Sequence, residues 1–145
     1  MGCDIHLHIE LKVSGKWEHY AAPSVDRWYK LFGLLAGVRN MQVKPISPPR
    51  GLPDDASIIT KLEREDMGRD GHTDSWLNAD EILILSETLN DWGEKDNVGF
   101  LGYDLEHKIL RTYLFRNSFA GHVKYEDCSL PDGVEDVRFV FWFDN

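Results

Sequence analysis

From Cys3 to Val13 the chain alternates, with Ile5, Leu7, Ile9, Leu11 and Val13 on one set of positions and Asp4, His6, His8, Glu10 and Lys12 on the other. A period of two is the mark of a strand with one face in a core. Ser14-Gly15 offers a tight turn, after which Lys16 to Ala21 can return as the second strand of a hairpin. A two-residue turn would pair Val13 with Lys16 and Glu10 with His19, putting His19 on the polar face with His6 and His8. A slip of one residue would remove it, so its membership depends on register.

Ser24 can cap a helix from about Val25 to Ala36, with Trp28, Leu31, Phe32 and Leu35 as its apolar face and Gly37 ending it. Pro45, Pro48, Pro49 and Pro53 enforce an extended loop around Arg50-Gly51. A short helix is expected from about Asp54 to Glu65. Met67 to Ser75 carries two glycines and no periodicity, and reads as a loop that brings Asp70, His72 and Asp74 into one neighbourhood.

Asn78 and Glu81 form a capping box with Leu77 and Ile82 as its staple, opening a helix to about Trp92. Another helix is expected from Asp104 to Phe115, and the apolar run Val137 to Phe143 reads as a buried strand paired with the first. The expected class is α+β: a small antiparallel sheet, made of the N-terminal hairpin and the C-terminal strand, packed with three or four helices. Its 145 residues, with no repeat or linker, suit a single domain able to bury roughly two thirds of its unfolded surface.

Composition narrows the function classes. Hydrophobic residues make up 42%, too many for a disordered chain despite 28% charge. Sixteen basic against 25 acidic residues give a net charge of -9, which argues against nonspecific nucleic-acid binding and attachment to anionic membranes. No apolar run approaches the roughly 18 residues needed to span a bilayer. Cys3 and Cys128 form no disulfide framework or metal knuckle, and no secretory leader pattern opens the chain, so a cytoplasmic location is expected.

The strongest candidate chemistry lies on the first strand. Asp4, His6, His8 and Glu10 project from one side at steps of about 7 Å, so neighbours converge while the extremes, about 20 Å apart, do not. A His-x-His pair can hold one zinc, manganese or iron ion with a carboxylate from elsewhere, while Asp4 or Glu10 orients the ligands or acts as general base. The competing reading is an ordinary solvated face of an antiparallel sheet.

His72 and Asp74 would supply the completing metal ligands, to one ion or to two about 4 Å apart; alternatively they satisfy local backbone groups in a turn. Arg50, in Pro-Pro-Arg-Gly-Leu-Pro, is presented by a stiff loop and suits a phosphate or carboxylate, with Arg39 and Arg27 as further candidates that surface acids can equally well occupy. His107, His122 and Cys128 gain no role from their surroundings, and His72 near Ser75 is weak support for a hydrolase triad.

Asp4-Ile5-His6-Leu7-His8 resembles the first metal-binding strand of the polymerase and histidinol phosphatase phosphoesterases. Five residues carry that resemblance, and it implies metal binding by His6 and His8 alone. Met-Gly-Cys-Asp-Ile-His, Leu-Ala-Gly-Val-Arg, Pro-Pro-Arg-Gly-Leu-Pro-Asp-Asp and His-x-x-Ser-Trp-Leu together resemble a family of small uncharacterised bacteriophage proteins over roughly the first 80 residues. That resemblance implies a phage origin, hence the host cytoplasm, and brings counter-defence against nucleotide signals into view.

The expected function is a metal-dependent phosphoesterase-like hydrolase of a small nucleotide or another phosphorylated metabolite. Its metal ligands would be His6, His8, His72 and Asp74, with Asp4 and Glu10 catalytic and Arg50 and Arg39 on the substrate. Two rivals stand beside it: a noncatalytic protein that sequesters a nucleotide signal, with its pocket at a homo-oligomer interface, and an acidic inhibitor that binds a host protein.

Overall fold

A computed structural model describes residues 2–25, 27–39, 42–92 and 132–145. The expected helix over 104–115, His107, His122 and Cys128 lie outside the described residues. Four strands form one antiparallel sheet: β1 (Asp4–Val13), β2 (Lys16–Ala21), β3 (Gly71–Leu77) and β4 (Asp136–Asp144), in the order β2-β1-β4-β3. With them stand helices α1 (Tyr29–Ala36), α2 (Ile58–Met67) and α3 (Ala79–Trp92), making a small α+β fold. None of these helices is long and apolar enough to cross a membrane.

Alternation along β1 and β4 sorts the sheet into two unlike faces. Ile5, Leu7, Ile9 and Leu11 join Val137, Phe139, Phe141 and Phe143 in a core with Leu31, Phe32 and Leu35 of α1 and Ile82, Leu85 and Leu89 of α3. The other face carries the even positions, with Glu10 opposite Arg138, His8 opposite Val140 and His6 opposite Trp142. The hairpin register follows the two-residue turn: Val13 pairs with Lys16 and Glu10 with His19. The C-terminal strand pairs with β1, as its apolar run leads one to expect.

Helix ends follow local chemistry where the chain supplies it. Asn78 Oδ1 accepts from the Glu81 N–H at 2.9 Å and Glu81 Oε1 from the Asn78 N–H at 3.0 Å, while Leu77 and Ile82 are fully buried, completing the box and staple. Gly37 closes α1 in the left-handed region at φ 73°. The start of α1 differs from expectation, because Ser24 stays in extended chain and the helix begins only at Tyr29. Tertiary contacts hold that segment: Arg27 grips Asp4 at 2.9 and 3.0 Å, and the Tyr29 hydroxyl accepts from the Cys3 N–H at 3.1 Å.

A larger correction concerns residues 67–75, expected as a loop. They form the end of α2, a 3-10 turn at Gly68–Asp70 and most of β3. Here the ladder to β4 outweighs low strand propensity, and an irregularity between His72 and Ser75, with Thr73 at φ 56°, absorbs the poor local fit.

α2 crosses the polar face in an unusual way. Ile58 is 74% and Leu62 60% exposed, whereas Thr60 is the residue it buries. Polar contacts therefore hold it. Glu10, fully buried, accepts from the Ser57 N–H at 2.7 Å, the Thr60 hydroxyl at 2.8 Å and Arg138 Nε at 2.8 Å. Arg138 also donates to Asp55 Oδ1 at 2.8 Å and lies 4.0 Å from the Trp17 ring centroid.

Removing one member of a buried ion pair strands the other charge, which typically costs about 3–5 kcal/mol. Glu10→Gln is expected to lose about 3 kcal/mol in urea unfolding at neutral pH, and Glu10→Leu with Arg138→Met to recover most of it. A loss below about 1 kcal/mol for the single change would show that the pair does not anchor α2.

Candidate functional site

The polar face of β1 opens into a pocket of about 360 Å³ between the hairpin, the extended chain after it and α2. Asp4, His6, His8, His19 and Glu63 give it polar groups, and Ile59 an apolar wall. Strand alternation delivers His6 and His8, the hairpin register delivers His19, and α2 delivers Ile59 and Glu63. No lysine or arginine is among the described residues that line it.

The three imidazoles divide into two pairings. His6 Nε2 lies 2.6 Å from Asp144 Oδ2, an ion-pair distance that fixes the ring at one nitrogen. His8 Nδ1 lies 2.9 Å from His19 Nε2. Beside them on β4, buried Trp142 is stacked 4.8 Å from the His8 ring and 6.1 Å from the His6 ring. The His-x-His pair thus shares a face and an indole neighbour while each ring turns a nitrogen to a different partner.

Burial, then the neighbouring His19 and His6, hold the His8 pKa down to about 4 from 6.5, against the opposing pull of Glu10. His8 is consequently a neutral imidazole at neutral pH, able to offer a lone pair. Asp4, bound bidentately by exposed Arg27, has its carboxyl held below the usual range, so it stays an anion at the pocket mouth. Burial pushes the Glu10 carboxyl up, but the Ser57, Thr60 and Arg138 hydrogen bonds outweigh it and hold the pKa below the ordinary value.

The remaining sequence candidates are placed elsewhere. Glu10 is saturated by the α2 anchor and does not line the pocket, so its position is structural. His72 pairs with Phe143 and stacks on it at 6.3 Å, on the sheet face opposite His6 and His8. Its ring nitrogens meet Thr73 and Asn145 at 2.9 and 3.3 Å. Asp74 accepts from Arg64 Nε at 2.8 Å. His6, His8, His72 and Asp74 are therefore not brought to one point, and among the described residues no three His, Cys, Asp or Glu side chains form a metal-holding group.

Arg50 sits beside β3, on the far side of β4 from the pocket, bonded to Ser47 Oγ at 2.9 Å and to Glu81, and 4.4 Å from the Trp76 ring centroid. Arg39 stands over the Tyr29 ring at 5.5 Å. Ser75 is buried and accepts from the Arg50 N–H at 3.2 Å. Asp144, Glu63 and Trp142 were not anticipated. Asp144 was findable only with the β1–β4 register in hand, since the pairing of Asp4 with Asp144 sets it diagonally beside His6.

A histidine with a depressed folded pKa makes the unfolded chain the better proton binder between the two values, so stability falls as pH drops from 6.5 towards about 4. The effect is on the order of 3 kcal/mol for His8 alone. Urea midpoints across that window are expected to fall steadily in the wild type and to flatten in His8→Gln. Equal slopes in the two proteins would remove His8 as the cause.

Searches for a matching family model, curated protein or solved structure find no match to this chain.

Proposed function

We propose that the chain is a divalent-metal-dependent, phosphoesterase-like hydrolase acting on a small nucleotide or another phosphorylated metabolite in the pocket over β1. The observation that carries this reading is the 2.6 Å contact between Nε2 of His6, on the pocket wall, and Oδ2 of Asp144. A carboxylate on one imidazole nitrogen sets the tautomer and ring orientation and leaves the other nitrogen for proton transfer. Here Nε2 is held, and Nδ1 is the working atom.

Pocket charge supplies the metal dependence. Glu63 is acidic, the Asp4 carboxylate is already paired with Arg27, and the described lining has no lysine or arginine to receive a phosphate. A divalent ion would supply the positive charge that a phosphorylated ligand needs there. His6 Nδ1 takes a proton from the attacking water as its oxygen bonds to phosphorus. The bond to the leaving oxygen breaks, and the imidazolium returns the proton to that oxygen. The phage-type residues at the start of the chain put cyclic and linear oligonucleotide signals, and hence counter-defence, first among the substrates to screen.

The test is a panel of cyclic dinucleotides, linear dinucleotides and phosphomonoesters incubated with untagged protein in manganese, in zinc and in EDTA. Turnover is expected only with metal, with His6→Ala reducing kcat at least about 100-fold. Asp144→Asn should lower kcat and displace the acid limb of the pH profile while preserving KM. Tight binding of a nucleotide without turnover in any metal would overturn the hydrolase in favour of sequestration.

A further inference from the structure

We propose that Glu63 is the base-reading group of the pocket and that the ligand it selects is a guanine mononucleotide, held by the Watson–Crick edge of its base. This inference rests on the hydrolase reading for the presence of a nucleotide, and it narrows that nucleotide to one base.

Glu63 is the carboxylate of the pocket that the protein itself leaves unused. Asp4 is taken by Arg27, His6 by Asp144, and His8 and His19 by each other. Glu63 lines the same pocket with no hydrogen-bond or ion-pair partner among the described residues. The reason lies in how α2 is docked. Thr60 and Arg64 turn to the sheet, where they bind Glu10 and Asp74, and the neighbouring stripe of Ile59 and Glu63 is left over the pocket.

That stripe sets an aliphatic side chain one helical turn before the carboxylate, and Pro23 and Val25 of the extended chain add apolar lining. A flat heteroaromatic ring uses both features, with its faces against apolar groups and its edge against the acceptor. A ribose has no apolar face of comparable size and is the poorer match. The volume of about 360 Å³ stands at the small end of ligand pockets, roughly 300–1,000 Å³, and suits one nucleotide unit.

Edge chemistry then chooses the base. An ionised carboxylate accepts hydrogen bonds and donates none. Guanine sets two donors side by side, N1–H and one N2–H, so each can meet one carboxylate oxygen in a charge-assisted pair. Adenine places the N1 lone pair beside its N6–H, cytosine the N3 lone pair beside its N4–H, and uracil a single N3–H between two carbonyls. Each of those three sets a lone pair against the anion. Glu63 is exposed, so water competes for its oxygens. The expected preference is therefore about tenfold, towards the lower end of what one bidentate base contact provides.

Isothermal titration of untagged protein in EDTA with GMP, IMP, AMP and CMP tests the assignment without turnover. GMP is expected to bind about tenfold more tightly than AMP or CMP, with IMP, which lacks the N2 amino group, in between. Glu63→Gln, at an exposed helix position, presents one donor and one acceptor. That pattern complements adenine, so the ratio of GMP to AMP affinity should fall to about one or below, whatever the loss of a negative charge does to phosphate binding in general. Equal affinities in the wild type, a ratio unmoved by Glu63→Gln, or no binding of GMP overturns the assignment. A loss common to all four ribonucleotides and absent from their 2′-deoxy forms would give Glu63 to the ribose, and would overturn it too.

These outcomes separate the two proposals. Metal-dependent turnover with equal kcat/KM for GMP and AMP removes the guanine assignment and leaves the hydrolase. A GMP preference that Glu63→Gln abolishes, unaccompanied by turnover in any metal, removes the hydrolase and leaves the base site.

Discussion

The carboxylate of Glu10 determines how much of this architecture can exist. It ties the first turn of α2, which has no apolar reason to meet the sheet, through Ser57 and Thr60, and reaches β4 through Arg138. α2 turns Ile58 and Leu62 outward, so hydrophobic burial does not dock it. Without the carboxylate the polar face of the sheet would be open, and Ile59 and Glu63 would not wall the pocket. A buried acid is costly unless its oxygens are used, and here three donors use them.

That anchor also fixes where water goes. Along β1 the polar positions pass from a fully buried acid at Glu10, through buried His8, to half-exposed His6 and exposed Asp4. One strand therefore carries a gradient from structural to solvent-facing polar chemistry within a few residues. The imidazoles stand at its middle, shielded enough for His8 to stay neutral and open enough for a ligand to arrive. Trp142 contributes from β4, where an indole among polar neighbours gives both rings a flat apolar support.

Much of the frame was legible because it rests on local patterns. Alternation from Cys3 to Val13, a two-residue turn and a capping box each specify their own geometry, and each is found. β3 was illegible for the opposite reason. Gly71 and the polar residues His72 to Asp74 show no alternation of apolar and polar positions, and pairing with β4 makes the segment extended. Likewise Ser24 is a sound cap by type, but Arg27 and Tyr29 are committed to Asp4 and Cys3, and the helix starts later.

The site divides along the same line. Period two correctly puts Asp4, His6, His8 and Glu10 on one face, and the turn length adds His19, but a shared face does not make a shared partner. Which nitrogen meets which atom is decided by the strand alongside, with β4, distant in sequence, giving His6 to Asp144 and the hairpin partner β2 giving His8 to His19. His72 illustrates the converse. Its acid-flanked motif resembles the first one, yet pairing with Phe143 turns it to the far side of the sheet. Composition along a segment therefore nominates chemistry, and the cross-strand register decides which nominees can act together.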